Sequence, residues 1–253
     1  MELPRDKTEV TFVFGDTHGI YMDKKWWSIV KNIIYDLKPD RIVMNGDIVD
    51  FYAISRFDKD PCRRESLQDE IDITKQFLDS VRHWSKNAEL VWVEGNHEAR
   101  LQKYLWSKSP ELASLDMLDI ENIFETDKRG IKYIKSRGRE AYYQMGKIKI
   151  GHFNKVSQES AYTAKALVTR YACTIIQNHV HRLGKYYKTY GNDVVVGIEA
   201  GCGCMLNPEY TCDPNWQQGF VIITKLKNDN RYYIEDVPII KHETLFRNAL
   251  YKA

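Results

Sequence analysis

Apolar residues gather in short runs at 11–14, 41–44, 89–93, 147–150 and 174–177, the first being Thr11-Phe12-Val13-Phe14. Runs this short, rich in valine, isoleucine and aromatic residues, predict strands. Between the first three the period changes. Residues 24–37 set Trp26, Trp27, Ile29, Val30, Ile33, Ile34 and Leu37 on one stripe that ends before Pro39, which predicts a helix. Ser66 with Asp69 three residues on is a capping-box arrangement, and Leu67, Ile71, Thr74, Phe77, Leu78, Val81 and Trp84 come after it on one face. Repeated strand, helix, strand order implies parallel pairing through right-handed crossovers. The pattern loosens across about 99–146, where 100–106 and 111–118 look helical and 131–134 and 141–145 look extended. We read that stretch as an insertion within a single domain spanning 1–253. A helix with alanines on one side is expected at 158–172, and mostly antiparallel strands at 183–190, 194–199, 219–226 and 231–238. The fold expected is α/β: two packed mixed β-sheets flanked by helices, with no internal repeat, low-complexity segment or flexible linker.

Composition alters this picture little. A chain of 253 residues can bury a sizeable core, and 43% hydrophobic with 28% charged residues suits a globular protein. A net charge of +2 is too small to argue by itself for nucleic acid. The segment Met1-Glu2-Leu3-Pro4-Arg5-Asp6-Lys7 lacks the apolar core of a secretory signal, and no stretch approaches the roughly 20 apolar residues of a membrane span. A cytoplasmic protein is expected, in the host cytoplasm if phage-encoded. Five cysteines without framework spacing fit reduced thiols. Cys202, Cys204 and Cys212 lack a fourth partner nearby, so they read as buried or loop cysteines rather than a zinc site.

The polar residues that close each apolar run change the picture far more. Asp16-Thr17-His18, Gly46-Asp47-Ile48-Val49-Asp50, Gly95-Asn96-His97-Glu98, Gly151-His152 and Asn178-His179-Val180-His181 all sit directly behind one. Of seven histidines, only His83 and His242 lie elsewhere. Strand ends are where α/β sheets collect ligands and chemistry. Aspartate, asparagine and histidine together suit Mn²⁺, Fe or Zn²⁺ better than a calcium cage or a thiolate site. They outnumber what one ion needs, so two ions bridged by one carboxylate, roughly 3.5–4 Å apart, is the economical reading.

The order and spacing of these motifs resemble the calcineurin-like metallophosphoesterases, whose pattern is DxH, GDxxD, GNHE, H and GHxH. The likeness covers about residues 10–225, and Asn178 stands where the family usually has glycine. The resemblance implies a four-layer sandwich in which Asp16, His18 and His181 hold one metal, Asn96, His152 and His179 the other, and Asp47 bridges them. Two cations would hold a hydroxide near neutral pH, since coordination lowers the pKa of water to about 7 in the best single-zinc cases. Manganese is the first expectation, with Fe, Zn, Ni or Mg as alternatives. The resemblance makes His97 the group that stabilises or protonates the leaving oxygen and Asp50 the carboxylate that orients it. Without the resemblance, Asp50 could as well cap the turn after Asp47. Glu98 could stand behind the ligands or cap the next helix. We expect Asp16 and His18 to converge because positions i and i+2 of an extended segment point the same way.

The family's protein-phosphatase branch carries arginine directly after the GDxxD aspartate, and this chain has Phe51 there. Loss of that fork-shaped donor argues against strong binding of a monoester dianion. Arg100 and Arg182 could supply charge at the rim and Trp216 an aromatic wall, or each could be structural. Residues 128–139 concentrate positive charge around Tyr133, as a nucleic-acid contact or a solvated hairpin. Trp216-Gln217-Gln218-Gly219-Phe220, with residues 95–101, is similar to small phosphoesterases encoded by bacteriophages. The expected activity is a dinuclear-metal phosphodiesterase for a nucleotide or nucleic acid, such as a nuclease. A phosphomonoesterase of small substrates and a silent metal-binding scaffold are the alternatives. The partner expected is a phosphoester substrate, not a membrane.

Overall fold

The computed structural model describes residues 7–136, 140–209, 211–227, 229 and 231–253. In chain order the elements are β1 Thr8–Phe14, α1 Lys24–Leu37, β2 Arg41–Asn45, α2 Leu67–Trp84, β3 Glu89–Val93, α3 Glu98–Lys108 and α4 Ile120–Ile123. Then come β4 Ile131–Ile134, β5 Tyr142–Met145, β6 Ile148–Gly151, α5 Tyr162–Tyr171, β7 Thr174–Gln177, β8 Leu183–Tyr190 and β9 Asp193–Ala200. β10 Gln218–Leu226, β11 Tyr232–Ile239, β12 Glu243–Phe246 and β13 Ala249–Lys252 complete the set. Among the described residues no helix is long and apolar enough to cross a membrane.

Two sheets carry the fold. The first runs β11-β10-β1-β2-β3-β4, with β1 to β4 parallel, and the second β5-β6-β7-β9-β8. Strand alternation divides the first sheet's side chains cleanly. Phe12, Phe14, Ile42, Met44, Leu90 and Trp92 face α1 and α2, whose Trp26, Ile33, Phe77 and Leu78 cover them. Val13, Val43, Val91 and Val93 face the other way, onto Ile148, Ile150, Ile176 and Ile198 of the second sheet. Leu167 and Val168 of α5 close the outer face of that sheet on Ile175. The result is the expected four-layer α/β/β/α arrangement.

Both long helices fall where the periodicity puts them, and α2 begins with the Ser66–Asp69 capping box. The helix expected at 158–172 begins only at Tyr162, and 111–118 breaks into two short 3-10 turns, Pro110–Ser114 and Asp116–Leu118. The basic stretch from Lys128 is no hairpin. Arg129 is pinned to Asp79 at 2.7 Å and Lys135 to Asp119 at 2.8 Å. Ile131–Ile134 pairs in parallel with β3, while β5 joins the other sheet. Arg137, Gly138 and Arg139 of that stretch lie outside the described residues.

Candidate metal centre

The parallel strands β1, β2 and β3, with β6 and β7 opposite, deliver every strand-end motif to one edge of the sandwich. The turns after β1 and β2 are laced together: Asp16, His18 and Gly19 donate their amides to the carbonyls of Gly46, Asp47 and Ile48 at 2.8–3.0 Å. Glu98, the first residue of α3, stands behind them. Its carboxylate accepts from the amides of Gly95 at 2.7 Å, Asp47 at 2.9 Å and Ile48 at 2.7 Å. Burial and the Asp47 charge push its carboxyl up to about 7. Gly95 cannot be larger, because a Cβ there would come within 2.3 Å of Asp47 Oδ1.

Each aspartate ties down a loop with one oxygen and presents the other. Asp16 Oδ2 accepts from the His179 amide at 2.8 Å, and Asp47 Oδ1 from the His97 amide at 2.9 Å. Asp16 Oδ1 is buried and finds no hydrogen-bond partner among the described residues. Asp47 Oδ2 lies 3.1 Å from His152 Nε2 and 3.9 Å from His18 Nε2. Ligand atoms of Asp16 cluster with those of His18 and His181, and ligand atoms of Asp47 with those of His152 and His179; His18 also clusters with Asp50 and His97, and His181 with Cys202 and Cys204. Asn96 joins the Asp47 cluster, its Oδ1 3.0 Å from His152 Nε2. The same ring nitrogen is 3.0 Å from His179 Nδ1, while His18 Nε2 is 3.1 Å from His181 Nε2.

The other ring nitrogens fix which one is free to bind. His18 Nδ1 donates to Asp50 Oδ2 at 2.9 Å and His152 Nδ1 to the Asn45 carbonyl at 3.1 Å. His181 Nδ1 faces Cys204 Sγ at 4.0 Å. Nε2 of all three therefore points into the site, as metal-ligating imidazoles require. Converging nitrogen and oxygen lone pairs around an orphaned carboxylate oxygen repel one another unless a cation lies among them. The donor set of imidazole, carboxylate and amide oxygen fits Mn²⁺, Fe or Zn²⁺. Burial alone would raise Asp16 and Asp47, but the surrounding histidines outweigh it and hold both carboxyls low. Burial pushes His152 toward neutrality, yet Asp47 and Asp16 carry it up to about 10, and burial beside His152 brings His179 down to about 4.

The convergence of Asp16 and His18 does not come from an extended segment. Asp16, His18, Asp47, His179 and His181 all have left-handed backbones, with φ between 50° and 81°. Aspartate and histidine are among the residues that tolerate this region, at a cost on the order of 1 kcal/mol each. Asn178, in place of the family's glycine, is buried. It accepts from Asn45 Nδ2 at 2.8 Å and donates to the Gly201 carbonyl at 2.9 Å, stitching three strand ends together.

Asp50 is primarily the partner of His18. Its Oδ2 is 3.3 Å from His97 Nδ1, which donates to the Asp50 backbone carbonyl at 3.0 Å. Burial raises the Asp50 carboxyl, but hydrogen bonds from His18 and His97 hold it below the usual carboxylate range. His97 Nε2 lies 3.8 Å from Asp47 Oδ2 and accepts from Arg100 Nη2 at 3.1 Å. Arg100 Nη1 is anchored on the Asp50 carbonyl at 2.9 Å. Trp216 borders the site, its ring centroid 4.2 Å from that of His181. Arg182 is turned away, its guanidinium donating to the Ser157 and Gln158 carbonyls. Cys202 and Cys204 are buried near His181, whereas Cys212 is exposed and apart from them. The sequence reading missed Asn45, and it weighed Cys204 with Cys202 and Cys212 only as buried or loop cysteines. A polar side chain closing the buried run 41–44 is the one hint for Asn45.

Residues 10–197 match the family model for calcineurin-like phosphoesterase. The gene 54 protein of Mycobacterium phage L5 is 28% identical over 229 residues, 84% of this chain and 87% of that protein. The gene 54 protein of Mycobacterium phage D29 is 28% identical over 244 residues, 90% and 92% of the two chains. These relatives bear out the likeness to phage-encoded proteins. Among solved structures, vacuolar protein sorting 29 of Cryptosporidium parvum aligns over 98% of this chain and 97% of its own, at 13% identity and a TM-score of 0.47. YfcE, a phosphoesterase from E. coli, aligns over 90% and 98%, at 10% identity and a TM-score of 0.38.

Proposed function

The chain belongs to the calcineurin-like phosphoesterases, and from that premise we propose that it hydrolyses phosphodiester bonds of a nucleotide or nucleic acid with two divalent cations, manganese first among them. The observation that carries the reading is Asp47 Oδ2, which faces His18 Nε2 on one side and His152 Nε2 on the other. Asp16, His18 and His181 would hold one cation, Asn96, His152 and His179 the second, with Asp47 between them. Bound there, the cations supply Lewis acidity and a water of lowered pKa.

The protein's own groups do the rest. His97 and Arg100 lie side by side at the edge of the cluster. His97 can pass a proton to the leaving oxygen, a contribution of roughly 10²–10⁴-fold, while Arg100 offers fixed positive charge. Asp50 holds His18 and reaches His97, so it orients both. The Glu98 carboxylate keeps the Asp47 turn in place when ligand positions come under load.

The diester preference rests on Phe51. Its side chain is fully buried and packs 6.2 Å from the Phe124 ring, so no guanidinium emerges from that position to clamp a dianion. Arg100 favours the second reading, a monoesterase, because its guanidinium reaches the His97 ring from α3. Metal-loaded protein assayed on bis-(p-nitrophenyl) phosphate and p-nitrophenyl phosphate separates them. Faster diester release is expected; faster monoester release selects the alternative, and no release of either points to a silent scaffold.

A further inference from the structure

A cleft of about 370 Å³ opens beside the metal centre, with His152 and Gly95 on its inner edge. Ala99 and Lys103 of α3 line it together with Phe153, Asn154 and Arg170. The volume lies at the lower end of the roughly 300–1,000 Å³ usual for ligand sites. It has room for one nucleotide unit and none for a duplex. Two carboxylates also line the cleft, held by neutral donors. Glu94 accepts from Tyr133 Oη at 3.0 Å and the Ser136 amide at 2.7 Å, and Glu140 from the Asn154 amide at 3.4 Å. Lys103 and Arg170 are exposed, and among the described residues neither enters an ion pair.

Basic and aromatic groups alternate onward from the cleft. The Arg170 guanidinium lies 5.1 Å from the Tyr171 ring, and Tyr171 lies 5.5 Å from Phe153. Phe153 is stacked 6.3 Å from Tyr142, over which Lys149 Nζ sits at 3.6 Å. Tyr142 and Tyr171 are part-exposed. Proteins that hold single strands combine a positive groove with aromatic surfaces in this way. A mononucleotide would need neither both of the cations lining the cleft nor the tier beyond them.

We propose that this cleft is the track for a single-stranded polynucleotide. One nucleotide adjoining the scissile phosphate sits against His152 and Phe153, Lys103 and Arg170 take flanking phosphates, and Tyr171 and Tyr142 meet the strand beyond. The assignment rests on the diesterase reading above and narrows its substrate to a polymer.

Anisotropy of a fluorescein-labelled single-stranded oligonucleotide tests it, using His97→Ala protein to suspend cleavage. Adding Lys103→Glu with Arg170→Glu is expected to weaken binding at least about tenfold, and to reduce the slope of log affinity against log salt by about 1.4, two phosphate contacts at about 0.7 each. In the His97-containing protein, the same pair should lower kcat/KM for the oligonucleotide relative to bis-(p-nitrophenyl) phosphate by a similar factor. The charge-matched pair Lys31→Glu with Lys86→Glu should do neither. Absence of oligonucleotide binding, equal loss from the two charge-reversed pairs, or parallel loss on both substrates overturns the proposal. Binding that depends on Lys103 and Arg170 in a protein that cuts no diester would keep the track and discard the diesterase reading.

Discussion

At the scale of residues, the site works by dividing each polar side chain between two tasks. Asp16 and Asp47 anchor loops with one oxygen, while His18 and His152 donate from one nitrogen, so the remaining atoms converge already oriented. His97 stands at the edge of that scheme: it is hydrogen-bonded to Arg100 and to the Asp50 carbonyl, and it also lies within ligand distance of His18 and Asp50. On the proposed division of ligands, which leaves His97 out, His97→Ala should retain its metal content by elemental analysis while turnover falls roughly 10²–10⁴-fold. An equal loss of metal would make it a ligand instead. Asn178 shows the opposite dependence. Asn178→Gly restores the family's usual residue but strips two buried hydrogen bonds, and should cost about 1–3 kcal/mol in urea unfolding of the metal-free protein. Unchanged stability would mean that water replaces the amide.

At the scale of elements, α1 is positioned by a junction its own sequence does not reveal. Asp23 caps it, accepting from the Lys25 and Trp26 amides at 2.8 and 3.3 Å, and also takes Gln218 Nε2 at 2.8 Å and His242 Nε2 at 2.9 Å. One carboxylate thus joins helix, first sheet and the β12–β13 hairpin. Asp23→Ala should cost about 1–2 kcal/mol of stability. Burial raises this carboxyl, but the donors from Gln218, His242 and the helix amides bring it below its ordinary value. A lowered folded pKa stabilises the protein above the unfolded value of about 3.9 and is lost as pH falls through the folded pKa. The gap between wild type and Asp23→Asn in urea titrations should be full at pH 6 and above, and should shrink below about pH 3.9. A gap that persists in acid would assign the effect to shape rather than charge. The hairpin itself escaped notice for a related reason. Its strands have four residues each, Leu245 and Leu250 point outward, and Phe246 enters the core with Tyr251 packed against it. A pattern that short carries little periodic signal.

Across the whole molecule, the sandwich brings together groups as far apart in the chain as Asp16 and His181, whose carboxylate oxygen and Nε2 are 3.5 Å apart. Burying that many polar groups is costly unless they are paired, and among the described residues Asp16 Oδ1 finds no hydrogen-bond partner. Cations that bind the folded but not the unfolded chain should raise stability by about 2.7 kcal/mol per site at one hundred times Kd. Chelation should accordingly lower Tm, and manganese should restore it. A Tm indifferent to chelator would mean that the folded cluster holds no ion.

The strand runs, the two long helices and the ligand-type residues behind each run were legible in the sequence, because periodicity and residue chemistry are local properties. Family order extended that to the division of His179 and His181 between clusters. What the chain alone could not show was every relation across the sandwich. Asp50 turning to His18, Arg100 reaching His97, Arg182 folding back on Ser157 and Gln158, and Asn45 serving both His152 and Asn178 each depend on which strand ends meet. So does the conformation that makes Asp16 and His18 converge, since left-handed φ is chosen by the turn that packs against Gly46 and Asp47 and not by the residues in isolation. Local pattern selects elements; only packing of the two sheets sets the distances between their ends, and the chemistry resides in those distances.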